Sequence, residues 1–86
     1  MIQRWFRARG LTALGAAAKG ARESAGLSQS ELASLIDSSR PTISRLERGV
    51  PVTIDVLTKT LARAGYEIYV IPRTARVKVE LPDPDQ

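Results

Sequence analysis

The chain has no cysteine and no histidine, one tryptophan, one phenylalanine, and no apolar run approaching membrane length. Each absence closes a class of function. Without cysteine there is no disulfide framework, no thiolate nucleophile and no thiolate metal site. Without histidine there is no imidazole ligand, no Ser-His or Cys-His pair, and no side chain that ordinarily titrates near neutral pH. The carboxylates are scattered over what read as helix ends and strands, so nothing resembles a catalytic constellation. We expect no enzyme, no metal and no cofactor. A helix crossing a bilayer needs about 20 consecutive apolar residues, and no stretch comes near that. Leu11–Ala18 is only mildly apolar and follows a basic, aromatic Met1–Gly10, which does not read as a signal peptide. The expected location is therefore the cytoplasm, with no membrane partner.

What remains is a small basic domain. With 86 residues, 43% of them hydrophobic and 26% charged, the chain reads as one globular unit rather than a disordered one. A domain this size buries only ~60% of its unfolded surface. Lacking disulfides, it is most readily reinforced by pairing with a second copy. The net charge of +4 and a pI of about 10.1 suit a polyanionic partner. The first 22 residues hold Arg4, Arg7, Arg9, Lys19 and Arg22 without a single acid. Arg40, Arg45 and Arg48 form a second basic cluster, and Asp83 and Asp85 lie in an acidic tail.

Residue patterns divide the chain into a basic aromatic segment (1–10), a helical unit (11–65), a strand-like segment (66–81) and the tail (82–86). The alanine-rich Leu11–Ala25 predicts a first helix closed by Gly26, with Leu14, Ala17, Ala18, Ala21 and Ala25 on one face. Ser28 and Glu31 have the spacing of a capping box for a second helix that runs to Ile36. After a tight Asp37-Ser38-Ser39 turn, Ser39 caps a third helix, Arg40–Arg48, with Pro41 in its first turn and Gly49 after it. Thr53 opens a fourth helix, whose Ile54, Leu57, Leu61 and Ala64 give the 3-4-3 spacing of an amphipathic face, and Gly65 closes it. Then the period changes. Tyr66–Ile71 is aromatic and β-branched, and Ala75–Leu81 alternates apolar and charged, as in a strand with one wet face. The fold class expected is mainly α with a small β part: a four- to five-helix bundle followed by a C-terminal strand or hairpin. One two-stranded hairpin is marginal in water, whereas four strands joined across a dimer are not.

Two short helices joined by a tight turn are the elements of a helix-turn-helix. With Ile43 and Leu46 turned inward, the period of the helix puts Pro41, Ser44, Arg45 and Arg48 on the opposite face, flanked by Arg40 and Thr42. The N-terminal part of such a helix meets base edges in the major groove, where an arginine fork can donate twice to guanine.

Leu27–Ala33 together with Ser39–Gly49 resembles the Xre/phage-repressor helix-turn-helix family, over roughly Leu14–Gly65. The resemblance implies that Arg40, Pro41, Thr42, Ser44 and Arg45 face bases. It implies that Gln29, Ser28 and Arg48 meet phosphates, and that Arg22 and Glu47 form a structural ion pair. Asp37 stands where the family usually has glycine, and Ser38 where it has an apolar residue. The later run Gly65–Arg73 resembles the HipB-like antitoxins of bacterial toxin–antitoxin operons. That resemblance implies a strand, with Tyr66, Ile68, Tyr69, Val70 and Ile71, that pairs with its copy in a homodimer. The function it implies is a bacterial, nucleoid-associated repressor that reads a pseudo-palindromic operator and neutralises a HipA-like kinase toxin. Two alternatives stay open: a protein-binding inhibitor subunit with secondary DNA binding, and a stand-alone repressor without a toxin. Trp5 and Phe6 read equally well as a partner anchor or as a cap on the core. Leu35 reads as a partner or second-subunit contact, or as one of the scattered exposed leucines.

Overall fold

A computed structural model describes residues 4–82. The helices among them are α1 (Leu11–Ser24), α2 (Gln29–Leu35), α3 (Arg40–Glu47) and α4 (Ile54–Arg63). Local chemistry sets where three of them begin. Ser28 Oγ accepts from the Glu31 amide at 3.0 Å while Glu31 Oε1 accepts from the Ser28 amide at 2.9 Å, the reciprocal capping box that starts α2. Ser39 Oγ accepts from the Thr42 amide at 3.3 Å, and Pro41 occupies the first turn of α3, where a missing N–H costs nothing. Thr53 Oγ1 does the same for the Val56 amide at the head of α4. By contrast, α1 starts after Gly10 with no side-chain cap and relies on its alanines and on packing.

The α2–α3 connection turns on Asp37, which sits at φ 55° in the left-handed region that aspartate tolerates better than most residues. Ser38 donates its amide to Ala33 O at 2.8 Å, which closes the turn without an apolar side chain at that position.

α1 packs on α3 and α4, and α2 packs on α3 and α4. Leu32, Ala33, Ile36 and Ile43 form the buried centre, with Leu27 and Val56 laid against it. Ala17, Ala18, Ala21, Leu46 and Leu61 are buried as well. Truncating fully buried Ile43 to alanine would cost about 2–5 kcal/mol. Alanines and glycines let α1 come close to its neighbours. A Cβ on Gly15 would lie 2.5 Å from Leu46 O and 2.9 Å from both Glu47 O and Gly49 N, so the backbone of α1 nearly touches the end of α3.

The expected C-terminal strand or hairpin is not formed: the described residues contain no β-strand. Tyr66 instead finishes α4, donating its amide to Leu61 O at 2.8 Å across Gly65 at φ 84°. Beyond it, the only backbone hydrogen bond among the described residues joins Ala75 N to Pro72 O. The physical reason is that Tyr66–Ile71 and Ala75–Leu81 do not pair with each other, and one chain offers no further strand to stabilise such a ribbon. No fifth helix is present among the described residues either. α1 ends at Ser24 with Ala25 as its cap, α2 ends at Leu35 with Ile36 as its cap, and α3 ends at Glu47 with Arg48 as its cap. Each is one residue short of the expected span, as fraying ends commonly are.

The described part of the N-terminal segment, residues 4–10, is irregular and lies back on the bundle. The Phe6 ring fills the space where a Cβ on Gly20 would sit and lies 5.8 Å from the Tyr66 ring, with the Arg4 guanidinium 5.1 Å above it. Phe6 thus caps the α1–α4 side of the core, while Trp5 stays exposed. Between this arm and the C-terminal segment runs a largely apolar groove of about 970 Å³. Asp83 and Asp85 of the acidic tail, and Ile2 of the N-terminal strip, lie outside the described residues.

Candidate nucleic-acid interface

The face of α3 turned away from the core carries the basic groups. Ile43 and Leu46 are buried, whereas Arg40, Pro41, Arg45 and Arg48 are exposed, and Thr42 and Ser44 are half-buried. The hydroxyls are partly committed. Thr42 Oγ1 lies 2.8 Å from Ser39 Oγ within the cap. Ser44 Oγ accepts from Arg48 Nε at 3.4 Å, a long contact along the helix. Among the described residues neither Arg40 nor Arg45 has a side-chain hydrogen bond or salt bridge, and both are exposed. The exposed arginines at the start and middle of a capped helix form a donor-rich surface.

What holds that surface in place is a buried network behind it. Arg22 on α1 donates from Nε to Glu47 Oε2 at 2.6 Å and from Nη2 to Glu47 Oε1 at 2.9 Å, a bidentate pair. Its third donor, Nη1, reaches Leu27 O at 2.7 Å. Gln29, the first residue of α2, donates from Nε2 to Glu47 Oε1 at 3.1 Å. One carboxylate thus ties α1, α2 and the last turn of α3 together. The side chains of Arg22 and Glu47 keep only 10% and 5% of their exposure, so water barely competes for them. Burial pushes the Glu47 carboxyl up, but the hydrogen bonds from Arg22 and Gln29, with the charges of Arg22 and Lys19, outweigh it and hold it below its ordinary value. The hydrogen bond to Glu47 correspondingly raises Arg22, against the opposing effect of burial.

Of the residues expected at phosphates, Gln29 is half-buried and joined to Glu47, so its amide braces α3 while its carbonyl stays available. Ser28 has its oxygen and its amide engaged in the α2 cap. Arg48 is exposed at the end of α3.

The family model described as helix-turn-helix matches residues 19–67, which hold all of α2, α3 and α4 and the second half of α1. The chain belongs to this family. It is an Xre/phage-repressor-type helix-turn-helix protein, a DNA-binding transcription regulator from a regulatory rather than enzymatic family. The chain matches no curated protein of known function. No helix among the described residues is long and apolar enough to cross a membrane.

Two features of the interface were not read from the residue pattern. Arg22 donates to Leu27 O as well as to Glu47, which anchors the loop ahead of α2. Gly15, in mid-helix, marks the contact that seats α1 against α3. A glycine inside an otherwise alanine-rich helix is the one sequence clue to such a close approach.

Proposed function

We propose that the chain is a sequence-specific, homodimeric repressor that reads a pseudo-palindromic operator with α3. The observation that carries this reading is the outward arginine face of a helix clamped from behind by the Arg22–Glu47–Gln29 network. In this reading Arg40, Pro41, Thr42, Ser44 and Arg45 face base edges, and Arg48, Ser28 and Gln29 meet backbone phosphates. Residues 11–65 are the DNA-reading unit and 66–81 the dimerisation segment. Tyr66 is set apart by its contact with Phe6, while Ile68, Tyr69, Val70 and Ile71 are exposed and available to a second copy. Half-sites one helical turn or a multiple apart follow from two-fold symmetry.

The finer reading is that of a HipB-like antitoxin in the bacterial cytoplasm, which represses its own operon and holds a HipA-like kinase toxin. The run Gly65–Arg73 supports it by resemblance.

The decisive experiment is binding of the purified protein to its own upstream DNA across a salt series, against scrambled competitor. Specific binding should resist the competitor and weaken steeply with salt. Arg45→Ala should lose ~1–3 kcal/mol of operator binding, and it should leave capture of any toxin intact. Unchanged operator affinity in that variant would overturn the assignment of α3 and favour a subunit that mainly binds protein.

A further inference from the structure

The dimer reading leaves the register between the two copies open, and the C-terminal segment carries enough chemistry to choose one. Among the described residues, no backbone amide or carbonyl from Glu67 to Ile71 has a backbone partner. Such a run of free donors and acceptors can serve as a template for another strand. Val70 is 95% exposed and Tyr69 79%, so the segment also presents apolar side chains that one chain does not cover. Both needs, for ladder bonds and for apolar cover, are met by a second extended segment.

Two identical antiparallel strands related by a two-fold axis normal to the sheet must centre on one residue, which then faces its own copy. With the axis at Tyr69, Glu67 would lie opposite Ile71 of the second copy. With the axis at Ile71, Arg73 would lie opposite Tyr69, and Glu67 would fall opposite Ala75, past the turn at 73–74. Either choice leaves the segment's acid and its arginine without each other. With the axis at Val70, Glu67 lies opposite Arg73 of the second copy, twice by symmetry. Tyr69 then lies opposite Ile71, an aromatic–β-branched pair of the kind that stabilises sheets. The hydrogen bond from Tyr69 Oη to Glu67 Oε1 at 2.9 Å joins residues two apart, which share one face of a strand.

Pro72 agrees with this register. It has no N–H, so it must occupy a position that does not donate to the ladder. In the Val70-centred pairing Pro72 faces Ile68, in the same alternating class as the Val70 pair. If that class is the non-hydrogen-bonded one, Pro72 costs no ladder bond, and the two valines meet at the closer of the two spacings.

We propose that the two copies pair antiparallel through Glu67–Arg73, with the two-fold axis at Val70 and reciprocal Glu67–Arg73 ion pairs fixing the register. The proposal rests on the homodimer reading above.

The absence of cysteine makes a cross-linking scan clean. Val70→Cys in the full chain should oxidise to a covalent dimer, while Tyr69→Cys and Ile71→Cys should cross-link far more slowly. Faster cross-linking at 69 or 71 would overturn the register. In parallel, Glu67→Arg and Arg73→Glu should each weaken dimerisation about tenfold in sedimentation equilibrium, since each loses two opposite-charge contacts and gains two like-charge ones. The double variant should return to within a few-fold of the parent. A double variant no better than either single one would also overturn it. If the parent chain sediments as a monomer under all conditions, the homodimer reading itself fails. That outcome is distinct from a dimer that forms in another register.

Discussion

A single carboxylate, that of Glu47, connects three helices, and its environment makes a testable statement about pH. Its folded-state value lies below the ordinary one, so its contribution is fully present above about pH 4.5 and is lost as the pH falls through the folded-state value. The urea midpoint of the protein should therefore drop as the pH is lowered below about 4.5. Glu47→Gln should be less stable at pH 7, by about 3 kcal/mol, because it strands the buried Arg22 charge. It should also show a shallower acid dependence. Some slope will remain, because hydrogen bonds from the Ser28 amide and hydroxyl hold Glu31 below its ordinary value too. An identical pH profile for parent and variant would remove Glu47 from the acid transition. A second residue, Thr60, points the other way. It is fully buried, and its hydroxyl has no hydrogen-bond partner among the described residues. Thr60→Val keeps the shape and removes the orphaned group, so it should stabilise the fold by about 1 kcal/mol. For a chain of this size that raises Tm by roughly 4–8 °C. A lower Tm would mean that the hydroxyl finds a partner in solution.

Between elements, the backbone of α1 lies directly against the end of α3. Gly15→Ala would gain about 1 kcal/mol of helix propensity on its own. Yet the new Cβ meets backbone at Leu46, Glu47 and Gly49, which cannot swing aside, so α3 must move. We expect a net loss of stability by urea titration together with weaker operator binding. Gly20→Ala is the control. Its Cβ meets only the Phe6 ring, at the end of an irregular arm that can give way, so stability should change little. Equal losses in both variants would mean that the α1–α3 approach is not the tighter constraint. How far these elements are legible in sequence depends on how local their cause is. The starts of α2 and α3 follow from Ser28, Glu31, Ser39 and Pro41, whose interactions span three residues or fewer. The Arg22–Glu47 contact spans 25 positions. No periodicity predicts it, and only the resemblance to a family brought those two residues together.

For the whole molecule, the bundle and the C-terminal segment separate cleanly in what each requires. The four helices pack on one another, and Tyr66 closes α4 and touches Phe6. Residues beyond Glu67 add no strand, and Pro72–Ala75 is their only backbone–backbone hydrogen bond among the described residues. A chain truncated after Glu67 should therefore keep its helical circular dichroism and unfold cooperatively. It should also sediment as a monomer and bind operator much more weakly than the full chain, because one half-site contact replaces two. A truncated chain that still sediments as a dimer would place the interface on the helices instead.

The residue pattern by itself determined the four helices to within a residue or so at their ends, the outward polar face of α3, and the lack of any cysteine or histidine chemistry. These follow from capping, glycine stops and the period of the helix, all of which act within a few residues along the chain. Three things were decided only by tertiary structure. Phe6 packs over Gly20, Gly15 brings α1 into contact with α3, and Glu47 gathers Arg22 and Gln29 behind the outward face of α3. The strand-like pattern of Tyr66–Leu81 marks the boundary between the two. Alternating apolar residues state a preference for a sheet, but a strand exists only when a neighbour supplies the other half of its hydrogen bonds, and within one chain none does.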